Sequence, residues 1–304
     1  MRWSEVPDSR PVPKEAILIV NAHSRKGRKL FRRAVFRLRE AGIRLTAAHA
    51  VRKTRNLIPT VKAAVRSGAP MVIVGGGDGS LSSAVDELVD RDCVFALLPL
   101  GTANSFARTL GIPLDLEGAI RTIATGKRWR VDLGVIDGDY FANSAAMGLS
   151  PLVGATVPHN LKKLLGRFGY LIWAGIQTVR FKPFHLTVEI DGERHEMDAM
   201  EVRIANGGFH GGVEVVDAAE VDSGEIVVQA VTGREKNRLL WNWIGILLRL
   251  ESRRETVRDF HARKLRLITD PPLPISIDGE VLGHTPATVE VAERAIVVVV
   301  PADS

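Results

Sequence analysis

The chain has 304 residues, of which 45% are hydrophobic and 25% charged, with a formal net charge of +6. That is a globular composition with room for two ordinary domains or one large one, and it excludes wholesale disorder. The single cysteine, Cys93, excludes an internal disulfide, cysteine-based zinc fingers and cysteine-ligated clusters, and it suits a reducing cytoplasm.

The opening stretch MRWSEVPDSRPVPKEAILIV contains no long apolar run followed by a small-residue cleavage site, so no signal peptide is expected. The longest apolar runs, such as 239–250, fall short of the roughly 20 residues that cross a bilayer. The expectation is a soluble cytoplasmic protein that at most lies against the inner membrane surface. Much of the positive charge comes early, at Arg25, Lys26, Arg28, Lys29, Arg32, Arg33, Arg37 and Arg39. Such a cluster suits anionic lipid or phosphate. Few aromatics interleave with it, so a nucleic-acid platform is not expected.

In chain order, unalternating apolar runs at 16–20, 44–51, 70–74 and 94–98 predict strands covered on both faces, hence a parallel sheet. Amphipathic stretches at about 28–41, 57–67 and 81–90 predict the helices between them. Beyond residue 130 the pattern changes to short alternating runs at 131–136, 139–145, 185–190, 197–205, 224–231, 264–269 and 288–300. Turn dipeptides separate them, among them Asp137-Gly138, Asp191-Gly192 and Asp278-Gly279. Helical stretches at about 160–179 and 235–250 interrupt this half. The expected fold class is α/β plus β: residues 15–130 form an α/β domain with a mainly parallel sheet. Residues 131–304 form an antiparallel β-sandwich with inserted helices.

The clearest chemical signal is Gly75-Gly76-Gly77-Asp78-Gly79-Ser80, placed between a predicted strand and a predicted helix. Glycines let backbone approach a bulky anion, and a helix N-terminus offers it unpaired N–H groups. Asp78 is then a carboxylate beside phosphate, suited to holding Mg2+. The run is neither a Walker A loop nor a dinucleotide fingerprint, because Gly-Lys-Ser/Thr is absent and Ser80 breaks the third glycine. Asn21-Ala22-His23-Ser24 follows the first strand and Gly101-Thr102-Ala103-Asn104-Ser105 the fourth, so all three loops sit where open α/β sheets bind ligands. The histidines show no metal-ligand spacing, and no nucleophile elbow appears.

Gly76-Gly77-Asp78-Gly79-Ser80, Gly101-Thr102-Ala103-Asn104-Ser105-Phe106-Ala107-Arg108 and Asn21…Ser24 together resemble the diacylglycerol kinase catalytic-domain family, which includes bacterial soluble lipid kinases and sphingosine kinases. Asn143…Gly148, Ala205-Asn206-Gly207, Gly211-Gly212 and Ile277-Asp278-Gly279-Glu280 extend the resemblance over residues 15–301. It implies an ATP-dependent lipid kinase in two domains, with ATP and Mg2+ in the cleft between them. By the resemblance, Asn21, Ser24, Thr54, Gly76, Gly77, Asp78, Gly79, Ser80, Thr102 and Asn104 contact nucleotide, and Asp78 serves the metal. Asp278 or Glu280 takes the proton from a lipid hydroxyl, of diacylglycerol or a sphingoid-type alcohol. The chain departs from the family pattern at Ser80, Ala22, Ser83 and Ser105. It departs again at Ser223, where bacterial relatives carry an aspartate of a structural magnesium site; Asp222 and Glu220 are the carboxylates left nearby. Rival readings are a kinase of a soluble alcohol, NAD-kinase-like, and a nucleotide- or lipid-binding regulator that has lost catalysis. Residues 161–179 and 239–250, with Trp241 and Trp243, are the candidates for the lipid side and for contact with an anionic membrane. An exposed strand edge in either domain could pair two copies into a homodimer.

Overall fold

The computed structural model describes residues 10–23, 25–149, 152, 173, 177, 181–248, 255–277 and 280–303. Strands β1 (Glu15–Asn21), β2 (Arg44–Val51), β3 (Met71–Gly76) and β4 (Val94–Pro99) pair in parallel in the order β4-β3-β1-β2. Every residue of β3 and β4 is buried, as their unbroken apolar composition requires of strands covered on both faces. Helix α1 (Arg25–Glu40) packs on α5 (Leu116–Thr125), and α2 (Leu57–Arg66) packs on α3 (Asp78–Val85). A one-turn helix, α4 (Ser105–Thr109), follows β4.

Two helices differ in extent from the sequence expectation. Helix α3 begins at Asp78 rather than Leu81 and ends at Val85. Gly77 takes the extended N-cap conformation (φ −93°, ψ −177°), and Asp78 in the first turn complements the positive helix end. Helix α5 has no counterpart among the predicted helices. It is started by Asp115, whose Oδ1 accepts from Gly118 N–H at 2.8 Å, a side-chain N-cap.

Strands β5 (Lys127–Ile136) and β17 (Ala287–Val300) run antiparallel side by side. The start of β17 pairs with β14 (Lys264–Asp270), and its Val297 and Val298 pair in parallel with β4. Val297–Val300 lie in a first core with Leu18, Ile73 and Phe95, whereas Ala287 and Val289 lie in a second with Phe141, Met147, Val202 and Leu267. One strand therefore stitches both cores together.

The second half is an antiparallel, β-sandwich-like array. Strands β7 (Ser144–Gly148), β8 (Phe184–Ile190) and β9 (Glu193–Ala205) join β14, and β12 (Ile226–Thr232) pairs with both β9 and β13 (Val257–Ala262). The short β6 (Asp139–Phe141) folds back on β5, and β10 (Phe209–His210) pairs with β11 (Val213–Glu214). β15 (Pro274–Ile277) lies between β7 and β16 (Glu280–His284). Asp137-Gly138 and Asp191-Gly192 take positive φ at both residues (50° and 100°; 51° and 86°), the conformation two-residue hairpins demand. The helical stretch expected at 160–179 lies outside the described residues apart from Trp173 and Gln177. Helix α6 (Lys236–Leu248) forms as expected. Trp173 and Trp243 pack against the buried Leu149, Met200, Val231 and Leu239, while Trp241 is 46% exposed.

Candidate active site

Because β2, β1, β3 and β4 are parallel neighbours, the loops that follow them lie in one row along the carboxyl edge of the sheet. At one end Thr54 stands exposed in a single 3-10 turn (Thr54–Asn56) after β2. The His23 ring, in the loop after β1, meets Arg52 O at 3.1 Å, so the first two loops touch. Asn21 ends β1 and donates from Nδ2 to Ser80 Oγ at 3.1 Å, which fastens the β1 edge to the first turn of α3. Ser24 lies outside the described residues.

The Gly75–Ser80 run turns tightly from strand into helix. Ser80 N–H and Leu81 N–H donate back to Gly77 O at 3.0 and 3.1 Å. The first helical turn therefore starts at Asp78, and its N–H groups have no intrahelical acceptor. A Cβ placed on Gly101 would sit 2.5 Å from Gly77 Cα and 2.8 Å from Asn104 Oδ1, so this loop and the loop after β4 are in backbone-to-backbone contact. Leu100 N–H donates to Gly76 O at 2.8 Å. Asn104 is buried and left-handed (φ 50°). Its side chain closes a small ring, accepting from Gly101 N–H at 2.9 Å and donating to Gly101 O at 3.1 Å. Thr102 remains exposed. Asn104 thus shapes the loop, and Thr102 presents it.

Asp78 spans the two loops. Its Oδ1 accepts from Ser105 N–H at 2.5 Å, which orients the carboxylate and caps α4. Ser105 Oγ in turn accepts from Gly212 N–H at 3.1 Å, so the loop after β4 is tied to the β-sandwich-like half. Thr109 donates to Asn143 Oδ1 at 2.6 Å, and Asn143 donates to Phe209 O. Asn143 O accepts from Asn206 N–H and Gly207 N–H at 3.0 and 2.9 Å. Asn206 Nδ2 donates to Asp132 O and Ala142 O at 2.8 and 2.9 Å. Asn143 is therefore joinery between the two halves, and Asn206 and Gly207 hold it in place.

Sequence reasoning missed His210. Its ring is open to solvent, with Nδ1 2.8 Å from Ser144 Oγ, yet protein surrounds it closely enough to push its pKa below the usual imidazole value. The Glu201 and Asp78 carboxylates oppose that shift and Arg203 reinforces it. The Asp78 carboxylate is among the charges that act on this ring, and the Ser105–Gly212 hydrogen bond brings the same short hairpin to the loop after β4. A lone histidine in a glycine-rich stretch carries no sequence signal for this.

Asp278 and Gly279 lie outside the described residues, as does the side chain of Glu280. Ile277 and Leu282 line a cavity of about 100 Å3 together with Gly79, Ser82, Ser83, Asp86 and Tyr140, so these two residues of β15 and β16 lie beside the start of α3. Around Glu220 and Asp222, the Ser223 hydroxyl donates to Glu220 O at 2.9 Å. The buried Asp132 accepts from Gly224 and Arg294 N–H at 2.8 and 2.7 Å, and burial pushes the Asp132 carboxyl above its usual range. Among the described residues, no three His, Cys, Asp or Glu side chains gather as a metal-holding group, and no helix is long and apolar enough to cross a membrane.

Residues 15–136 match the family model of the diacylglycerol kinase catalytic domain, and residues 143–300 match that of the YegS C-terminal NAD kinase beta sandwich-like domain. The diacylglycerol kinases of Staphylococcus aureus strains JH9 and Newman are each 30% identical to this chain over 302 residues, covering 95% of it and 93% of the relative. A crystal structure of a diacylglycerol kinase from Bacillus anthracis str. Sterne superposes with a TM-score of 0.78 at 23% identity, covering 97% of this chain and 99% of the other. A second structure from that strain superposes with a TM-score of 0.81 at 23% identity. An α/β sheet with glycine loops along its carboxyl edge, joined to a β-sandwich-like half and matched by these relatives, defines a kinase. The chain belongs to the diacylglycerol kinase catalytic-domain family, as its loop motifs led one to expect.

Proposed function

We propose that this kinase transfers the γ-phosphoryl group of ATP to the hydroxyl of a lipid alcohol, diacylglycerol or a sphingoid-type alcohol. The observation that carries the reading is the convergence of the β15–β16 hairpin on Gly79 through one shared cavity. Ile277 and Leu282, which flank the segment holding Asp278 and Glu280 in sequence, line that cavity with Gly79, and this supports the reading.

The glycine loop suits Mg-ATP. The close contact of Gly77 with Gly101 leaves bare backbone facing the loop row, and the first turn of α3 offers N–H donors to phosphate oxygens. Asn21, Ser80, Thr102 and Thr54 add polar side chains along the same row, and Ser24 belongs to the reading by its place in the sequence. Asp78, oriented by Ser105 N–H, would hold Mg2+, which supplies charge neutralisation between the phosphates when bound. Asp278 or Glu280 accepts the proton of the acceptor hydroxyl as its oxygen bonds to the γ-phosphorus. The bond from that phosphorus to the β,γ-bridging oxygen breaks, and ADP leaves. A lipid acceptor places the protein at a membrane surface while it works, on the cytoplasmic side; the exposed Trp241 beside Arg238 on α6 fits contact with anionic lipid.

The test is transfer of radiolabelled γ-phosphate from Mg-ATP into detergent-dispersed diacylglycerol, sphingosine and ceramide, with NAD as a soluble acceptor. Label is expected in one lipid, falling at least about 100-fold in Asp78→Asn and Glu280→Gln, in line with loss of one electrostatic or proton-handling group. Label in NAD and in no lipid would replace the reading with that of a soluble-alcohol kinase. Nucleotide binding without transfer to any acceptor would replace it with that of a regulator.

A further inference from the structure

The turn over residues 220–225 is held shut by one hydroxyl. Ser223 Oγ lies 2.9 Å from Glu220 O and 3.2 Å from Glu225 O, so its single proton is shared between two backbone carbonyls. The same oxygen accepts from Glu225 N–H at 3.3 Å, and Ser223 N–H donates to Glu220 O at 3.3 Å. Gly224, at φ 71°, takes the left-handed conformation that lets the chain double back. Two carbonyl oxygens converging on one centre are what a hard cation takes as ligands. Here a side-chain oxygen occupies that centre and serves both.

The carboxylates around the turn are engaged elsewhere. Buried Asp132 commits both oxygens to backbone donors, Oδ2 to Gly224 N–H at 2.8 Å and Oδ1 to Arg294 N–H at 2.7 Å. Glu293, whose carboxylate would lie 3.7 Å from a Cβ on Gly224, is paired with Arg263 at 2.9 Å. Among the described residues, Glu220 and Asp222 join no group of three metal-ligating side chains. The turn still has to be firm. Val221 is buried in the first core and its O accepts from Asp132 N–H at 2.6 Å, while Ile226, the first residue of β12, is buried in the second. Through Asp132 the turn is also tied to Arg294, in the irregularity between Ala292 and Ile296 where β17 passes from one core to the other.

We infer that Ser223 closes this turn in place of a metal ion, so that the joint of β5, β12 and β17 is independent of divalent cations. The residues present do not fit the structural magnesium that the family resemblance implies at this point. The reason is the donor count. An aspartate carboxylate only accepts hydrogen bonds, so between two carbonyl oxygens it needs a cation to hold the three together. Serine brings its own donor and removes the need. The inference stands apart from the kinase reading, whose Mg2+ belongs to the nucleotide and to Asp78.

The test is amide hydrogen exchange at Gly224 and Glu225, read by NMR on nucleotide-free protein in excess EDTA, Mg2+ or Ca2+, with thermal melts to check folding. Wild-type rates are expected to agree within about twofold in all three. Ser223→Ala should exchange about tenfold faster, the effect of losing one hydrogen bond, and neither cation should restore it. Ser223→Asp should become cation-dependent, fast in EDTA and slowed at least about tenfold by Mg2+ or Ca2+. Wild-type exchange that slows on adding either cation overturns the inference, because the turn then holds a metal. Unchanged exchange in Ser223→Ala, or its rescue by a cation, overturns it as well. So do equal rates in EDTA and Mg2+ for folded Ser223→Asp. Ser223→Ala removes one oxygen from an exposed position, so it keeps the test decisive even where Ser223→Asp does not fold.

Discussion

Gly101 and Gly79, two glycines of the same loop row, respond in opposite ways to an added methyl group. Gly101 faces Gly77 Cα so closely that an added Cβ, at 2.5 Å, meets backbone rather than a flexible side chain. Gly101→Ala must push two loops apart, and we expect it to cost about 1–3 kcal/mol, read as a lowered urea midpoint. Gly79 is the opposite case: nothing lies within 4 Å of an added Cβ, and its φ is not positive. Gly79→Ala should leave stability unchanged or raise it by up to about 1 kcal/mol, since alanine suits a first helical turn and restricts the unfolded chain. If the loop lies against phosphate, the same substitution weakens Mg-ATP binding at least about tenfold. Unaltered nucleotide affinity in a stable Gly79→Ala protein would remove the glycine loop from the nucleotide site.

At the scale of elements, β9, β12 and α6 are held by a polar network in an otherwise apolar interior. Arg203 donates to Glu201 Oε1 at 2.7 Å, Gln229 Oε1 at 2.8 Å and Asn242 Oδ1 at 3.0 Å. Asn242 in turn donates to Thr256 Oγ1 at 3.0 Å. Arg203 and Glu201 side chains are only 7% and 2% exposed, so each charge depends on its partners. We expect Arg203→Met to cost about 3–5 kcal/mol because it strands the Glu201 carboxylate without its guanidinium. The double variant Arg203→Met/Glu201→Leu should recover much of that loss in chemical denaturation. A single variant as stable as wild type would show that the ion pair contributes nothing to docking α6 on the sheet. Alternation along 197–205 and 224–231 predicted these strands, but nothing in the spacing of Glu201, Arg203, Gln229 and Asn242 predicted that they meet.

At the scale of the molecule, the two halves are joined by a small set of hydrogen bonds and by β5 and β17, which serve both cores. One of them is the bond from Thr109 Oγ1 to Asn143 Oδ1, 2.6 Å long and buried. Thr109→Val keeps shape and removes the donor, leaving a buried carbonyl oxygen short of a partner, a loss of about 1–3 kcal/mol. Its signature should be a lowered melting temperature together with faster amide exchange at Asn206 and Gly207, whose N–H groups bond to Asn143 O. Exchange rates unchanged at those two amides would show that the joint does not depend on this bond.

Local pattern was enough for the parts whose physics is local. Unbroken apolar runs such as those of β3 and β4 specify strands covered on both faces, whereas 44–51, expected to be covered likewise, forms the largely exposed edge strand β2. Asp137-Gly138 and Asp191-Gly192 specify hairpins because few residue pairs accept two positive φ angles, and Gly76-Gly77-Asp78-Gly79-Ser80 specifies a tight strand-to-helix turn. The family was legible from Gly76–Ser80 taken together with Gly101–Arg108, Asn21…Ser24 and Ile277-Asp278-Gly279-Glu280. What only the tertiary structure decided are contacts between segments far apart in the chain: the clasp of Asp78 on Ser105, the closure of Ser105 on Gly212, and the return of β17 to the first core. The amphipathic cavity where Asp86 on α3 faces Leu282 on a hairpin almost 200 residues later belongs to the same class. Periodicity and propensity act over one or two turns of chain, whereas these meetings are set by which surfaces the folded sheets bring together.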